Sequence, residues 1–292
     1  MIAMYDFKKT YNFYENQKPE QSIILTSPHS GRYYPSEFLK IINPRIEEIR
    51  IYEDFKVDKL YDFAPSIGCK LLVSNIPRII IDLNRNINEI DIDMFHNFNS
   101  KNFKITKKVK TGIGLFPRYI GLHNIYNSKL DWLAYKNLIN TVHHAWHKKL
   151  KEEIHKVKES FSNVVLLDCH SMPSMDLNGK KIDSMPDFVI GDLFQKSCRK
   201  DIIDFMKISL KKEGFSVAIN KPYAGAYIIE KYGKPDKNIN AIQIEIRKDL
   251  YCCEKTLTLN KNFKEIKTIL KRVISNLSKE INYNLPQQQV AE

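Results

Sequence analysis

The sequence predicts an α/β sandwich built on a largely parallel sheet, and three features carry that prediction. Short runs of apolar, mostly β-branched residues recur without the alternation of a half-exposed strand, as expected of strands covered on both faces. Longer segments of helical pattern lie between them, so strand and helix follow one another along the chain. Neither an internal repeat nor a Pro-, Gly- or Ser-rich linker interrupts this order, and a single domain is the simplest account.

The first run, "SIILTS" (22–27), enters the turn "PHSG". A helical pattern near 45–66 leads to "CKLLVS" (69–74), and "RIIIDL" (78–83) reads as a third strand. A long helical pattern, 128–160, precedes "NVVLLDC" (163–169), which is followed by "DFVIG" (187–191). A helix over 192–213 leads to "FSVAIN" (215–220), "AIQIEI" (241–246) is the last strand, and a helical pattern over 258–281 closes the fold. The polar stretch "NLPQQQVAE" (284–292) ends that pattern at a proline and is expected to be a flexible tail, which assigns the domain to 1–283.

With 292 residues, 43% of them hydrophobic, the chain can bury a substantial core. No apolar run approaches the ~20 residues of a membrane helix, and the N-terminus lacks the pattern of a signal peptide. A cytoplasmic protein without a membrane partner is expected. Cys69, Cys169, Cys198, Cys252 and Cys253 lack CxxC spacing and are read as reduced packing residues. The formal charge of +12 raises nucleic acid as a partner, but the excess lysine is dispersed and no recognition motif accompanies it. The charge is assigned to a solvated surface whose field also suits a small anionic substrate.

In sheets of this kind, sites gather where strands end. His29 in "SPHSG" and His170 in "DCHSM" each follow an apolar run and precede a serine. Two histidines with a carboxylate and an open position make a catalytic zinc site, whereas a lone histidine after a strand is ordinarily a hydrogen-bonded loop residue. Asp168, two residues before His170, is placed to orient it. Ser30 and Ser171 lie outside a G-x-S-x-G elbow, which disfavours serine catalysis. Arg78, Asn84 and Arg85 in "RIIIDLNR" suggest a guanidinium fork for a carboxylate, the alternative being an ion pair such as Arg85 with Asp82 or Asp91. In "AIQIEIR", strand alternation puts Gln243, Glu245 and Arg247 on one face. A glutamate there serves either as a general base or as an arginine's partner.

Taken together and in order, "SPHSGRYYP", "EDFKVDKLY", "IPRIIIDLNR", "GIGLFPRYIGLHNIY", "VVLLDCHSMPS", "PDFVIGD", "NKPYAGAYIIEKYGKP" and "IQIEIRKDLY" resemble the N-formylglutamate amidohydrolases over roughly residues 22 to 255. The resemblance extends to a wider group with zinc carboxypeptidases and aspartoacylases. It implies a three-layer α/β/α sandwich of phosphorylase/hydrolase-like fold with a mixed, mostly parallel sheet. It further implies His29 and His170 as ligands of Zn2+ or another divalent metal, Glu245 as general base, Arg78 as oxyanion stabiliser, and Asn84 with Arg85 as a clamp for the substrate carboxylate.

Two departures bear on this. The wider group carries its first ligands as HxxE, but Arg32 stands three residues after His29. The acidic ligand is therefore sought in "EDFKVD", where Asp54 is chosen ahead of Glu53 and Asp58. In "YAGAY" (223–227), Ala226 replaces the second glycine of a Gly-Gly pair common in the family, which leaves the acyl group open. The expected activity is metal-dependent cleavage of N-formyl-L-glutamate or a close N-acyl acidic amino acid. Its rivals are an amidohydrolase for another carboxylate-bearing amide and a non-catalytic binding protein for an acidic ligand or RNA. His144 is given no role, and the oligomeric state is left open.

Overall fold

The computed structural model describes residues 9–16, 21–121, 123–176, 180, 182 and 184–283. The expected tail, 284–292, lies outside them. Among the described residues the main sheet has seven strands: β1 (Tyr11–Tyr14), β2 (Ile23–Ser27), β3 (Lys70–Ser74), β4 (Val164–Met172), β5 (Phe188–Gly191), β6 (Val217–Ile219) and β7 (Ile239–Arg247). They are ordered β1-β3-β2-β4-β7-β5-β6. The pairs β2–β4, β4–β7 and β5–β6 are parallel and β7–β5 is antiparallel, so the sheet is mixed and mostly parallel. All residues of β2 and β4 are buried, which is why these runs lack polar alternation.

The longer helices are α1 (Trp132–Leu138), α2 (Ala145–Ser160), α3 (Lys200–Lys212), α4 (Tyr227–Tyr232) and α5 (Phe263–Tyr283). α3 packs on α5, and α4 packs on β4 and β7, completing the α/β/α sandwich that the sequence predicts. Among the described residues no helix is long and apolar enough to cross a membrane. The five cysteines are free thiols, all buried except Cys253.

The chain forms two compact units. One takes in the described residues of 13–27, 56–72 and 150–292, the other those of 1–12, 28–55 and 73–149. The first of these contains β2, β4 to β7 and α3 to α5. There Lys70 Nζ meets Glu153 Oε2 at 2.9 Å, both side chains being buried. In the second, Phe95 packs edge-on against Phe116, Trp132 and Tyr135, with centroid separations of 5.8, 5.3 and 5.5 Å.

The structure corrects the sequence reading at several places. Residues 78–83 form no strand. The backbone N–H groups of Ile80 and Ile81 donate to the Pro77 carbonyl at 3.0 and 3.4 Å, folding the segment into a turn, and Asp82 N donates to Leu115 O at 2.8 Å. Ile79, Ile80 and Ile81 are buried all the same, so the apolar signature of a strand is present without its geometry. The helix expected near 45–66 is broken into Ile46–Arg50, Val57–Leu60 and a 3₁₀ turn at Ala64–Ile67, with Lys56 at φ 56° between the first two pieces. The helix expected from 192 begins only at Lys200. Leu193, Phe194 and Gln195 precede it in left-handed conformation, held by bonds from Lys196 N and Ser197 N to Asp192 O. The edge strand β1 was not anticipated.

Gly31, just beyond the His29 turn, allows a close approach. A β-carbon there would lie 2.3 Å from the carbonyl carbon of Ile76. Gly31→Ala is expected to cost about 3 kcal/mol of stability through overpacking. Gly214→Ala, at an open position with φ +90°, is expected to cost only about 1 kcal/mol from its backbone strain. Denaturant midpoints of the two variants test this ordering.

Candidate metal centre and active site

The register of the central strands lines up the polar residues of the sheet. Thr26 pairs with Asp168 across β2 and β4, and Asp168 with Gln243 across β4 and β7. The next row of the same face pairs His170 with Glu245. Thr26 Oγ1 donates to Asp168 Oδ1 at 2.8 Å, and Asp168 Oδ2 lies 2.9 Å from His170 Nε2. Gln243 Nε2 donates to Glu245 Oε1 at 2.7 Å. Asp168, His170, Gln243 and Glu245 are all buried. Arg247, on the same face at the strand end, pairs with Asp187 and Asp249.

His29 has a matching environment in the other unit. Its Nε2 lies 2.7 Å from Asp82 Oδ1, and its Nδ1 lies 3.4 Å from Asp54 Oδ2. Asp54 N donates to His29 O at 3.1 Å and Ser30 Oγ to Asp54 O at 3.3 Å, which ties the two loops together. Of the acidic candidates, Asp54 is the one brought to His29. Glu53 Oε1 instead accepts from Tyr34 Oη at 2.8 Å and from Arg50 Nε at 3.1 Å. Burial raises the Glu53 carboxyl above its ordinary range. Asp58 stands at the start of the next helical turn, 4.0 Å from Lys59 Nζ.

Asp82 organises the arginines. Arg78 Nη2 donates to Asp82 Oδ2 at 2.8 Å, while Arg85 Nη2 lies 4.0 Å away. Arg85 Nε and Nη1 donate to the carbonyls of Ile113 and Asn84, each at 2.8 Å, and Asn84 N donates to Asp82 Oδ1 at 2.8 Å. Asp91 pairs with Arg118 rather than Arg85. Burial by itself would raise the Asp82 carboxyl, but His29, Arg78 and Arg85 overcome it and hold the carboxyl well below the usual carboxylate range.

Two contributors escaped the sequence reading. His143 and His147 are buried, with ring centroids 4.2 Å apart. Their Nε2 atoms reach the carbonyls of Arg85 at 2.9 Å and Leu83 at 3.0 Å. They brace the backbone that carries Asp82, Asn84 and Arg85. The chain between α1 and α2 forms a π-helical turn at Ile139–His144, of the kind that recurs near functional sites. The i, i+4 spacing of the two histidines was the available signal, whereas His144 is exposed.

His29 and Asp54 offer neighbouring ligand atoms within one unit, and His170, oriented by Asp168, offers a ring nitrogen in the other. The donor set fits a divalent cation. Two donors each about 2.1 Å from a tetrahedral zinc stand about 3.4 Å apart, which is the His29 Nδ1 to Asp54 Oδ2 separation. Both imidazoles meet an aspartate through Nε2, an arrangement that fixes ring orientation and ligand basicity.

Asp82→Asn is expected to cost about 3 kcal/mol at neutral pH in metal-free protein, because it leaves buried positive groups without their counter-charge. The folded pKa of Asp82 is depressed, so its contribution is complete above the unfolded value of about 3.9 and is lost as pH falls towards the folded value. The stability gap between parent and variant in urea should hold at neutral pH and close progressively below about pH 4.

Comparison with known proteins places these features in a family. The family model described as N-formylglutamate amidohydrolase matches residues 21–252. N-formylglutamate deformylase of Pseudomonas putida is 25% identical over 249 residues, 83% of this chain and 85% of that protein. The Pseudomonas aeruginosa N-formylglutamate deformylase is 25% identical over 239 residues, covering 80% and 82%. The crystal structure of N-formylglutamate amidohydrolase from Ralstonia eutropha JMP134 matches with a TM-score of 0.88 and 28% identity, over 94% of this chain and 99% of that one. An Agrobacterium tumefaciens protein matches in fold, with a TM-score of 0.66 and 16% identity over 92% and 96% of the chains. Because the matched segment spans most of the sequence, from before His29 to beyond Glu245, the chain belongs to the N-formylglutamate amidohydrolase family.

Proposed function

We propose that this protein is a metal-dependent amidohydrolase that cleaves N-formyl-L-glutamate to L-glutamate and formate. The observation that carries this reading is the pairing of His29 with Asp54 within one unit and, within the other, the sheet register that sets Glu245 beside His170. The Pseudomonas and Ralstonia relatives, named for action on N-formylglutamate, support the substrate. A net charge of +12 suits an acidic one.

His29, Asp54 and His170 would hold the metal. When bound, a cation such as zinc brings the pKa of a coordinated water to about 7 and polarises a carbonyl. Glu245 accepts the proton of the attacking water on a carboxylate oxygen. It returns that proton to the leaving nitrogen as the new C–O bond forms and the C–N bond breaks. Arg78 faces the developing oxyanion with a charge that Asp82 orients. Arg85 and Asn84 hold the substrate carboxylate, and the bonds of Arg85 to Ile113 O and Asn84 O fix the plane of its guanidinium.

His29→Ala and His170→Ala should each lower zinc content sharply while circular dichroism stays parental, and full zinc occupancy in both would refute the ligand assignment. Glu245→Gln should keep zinc and lose about 10²–10⁴ in the rate of N-formylglutamate hydrolysis. Arg85→Lys keeps the charge without the fork, so kcat/KM should fall roughly tenfold or more. A panel of N-formyl and N-acetyl amino acids, assayed side by side, decides the acyl group and the acidic side chain.

A further inference from the structure

The polar face of β7 carries a second buried group beside Glu245 that the proposed chemistry does not yet use. Gln243 lies two residues earlier on the same face, and its Nε2 donates to Glu245 Oε1 at 2.7 Å. Both side chains are buried, so this bond forms away from bulk water, where a misdirected polar group is costly. Gln243 is opposite Asp168 in the β4–β7 register, and Glu245 is opposite His170. The amide thus grips the carboxylate from the row that supports the histidine.

We propose that Gln243 is a positioning residue for the general base. This rests on the assignment of Glu245 as that base. Two consequences follow from holding one oxygen by a buried amide. The carboxylate loses rotamer freedom, so the second oxygen is aimed at the attacking water instead of sampling several directions. The pinned carboxylate is also kept from swinging across the narrow spacing between adjacent strands to become an extra metal ligand, which would abolish its action as a base. Glutamine suits this task, because its amide donates to the carboxylate at any pH and, unlike lysine or arginine, adds no charge that would weaken the base.

A double-mutant cycle tests the role. In the zinc-loaded protein, Gln243→Leu keeps side-chain size and removes the donor, and Gln243→Asn keeps a buried amide one methylene shorter. Both are expected to lower kcat for N-formylglutamate about 10- to 100-fold, with KM within about twofold of the parent and zinc content unchanged. If Gln243→Leu does not fold, Gln243→Asn carries the comparison. In the Glu245→Gln background the same substitutions should change the residual rate less than about twofold, since a residue acting through Glu245 has nothing left to position. Equal losses in both backgrounds, or parental kcat in the Gln243 variants while Glu245→Gln is crippled, would overturn the role of Gln243 and leave the base assignment standing. Near-parental turnover in Glu245→Gln would overturn the base assignment and the role of Gln243 with it.

Discussion

The parallel, in-register pairing of β4 with β7 is the constraint on which the rest of the site depends. Side chains repeat every second residue along a strand and paired residues share a face, so one register fixes a whole array. Here it sets Asp168 beside Gln243 and His170 beside Glu245. A one-residue slip would turn Gln243 and Glu245 to the other face and replace them with Ile242, Ile244 and Ile246, all buried as matters stand. The register is held because turning the Gln243 amide and the Glu245 carboxylate to the other face would bury them without their partners.

Charge placed in so dry an environment has to be balanced. Asp82 is buried and answers to His29, Arg78 and Arg85, and Asp168 answers to His170 and Thr26. In each case a carboxylate meets the Nε2 edge of a histidine, which commits one ring nitrogen to the protein scaffold. Such a carboxylate contributes little net stability against an apolar replacement, but removing it alone exposes the whole desolvation cost of its partners. The network is therefore better understood as a device for orientation than as a source of stability.

The segment with the greatest density of functional groups has no regular secondary structure. Residues 82–85 are held by several local bonds: Asp82 N to Leu115 O, Asn84 N to the Asp82 carboxylate, Arg85 Nε to Ile113 O, and the imidazoles of His143 and His147 to the carbonyls of Arg85 and Leu83. Irregular backbone that is buried must find its partners one group at a time. That requirement explains why two histidines on a widened helical turn lie against it.

The sequence by itself determined the fold class, six of the seven strands and the residue types of the chemistry. Continuous β-branched runs have few other uses than strands covered on both faces, and a histidine or glutamate at the end of such a run is costly unless it has a task. It did not determine the turn at 78–83, where three buried isoleucines carry the same hydrophobic signal as a strand. The left-handed residues at Lys56 and 193–195, the Asp82 grip on His29 and the braces from His143 and His147 were equally hidden. Nor did periodicity choose among Glu53, Asp54 and Asp58. Only the tertiary structure placed Asp54 at His29 and Glu53 at Tyr34 and Arg50, because periodicity reports which face a residue occupies, while the partner of a buried polar atom depends on residues distant in sequence that packing alone brings within hydrogen-bonding distance.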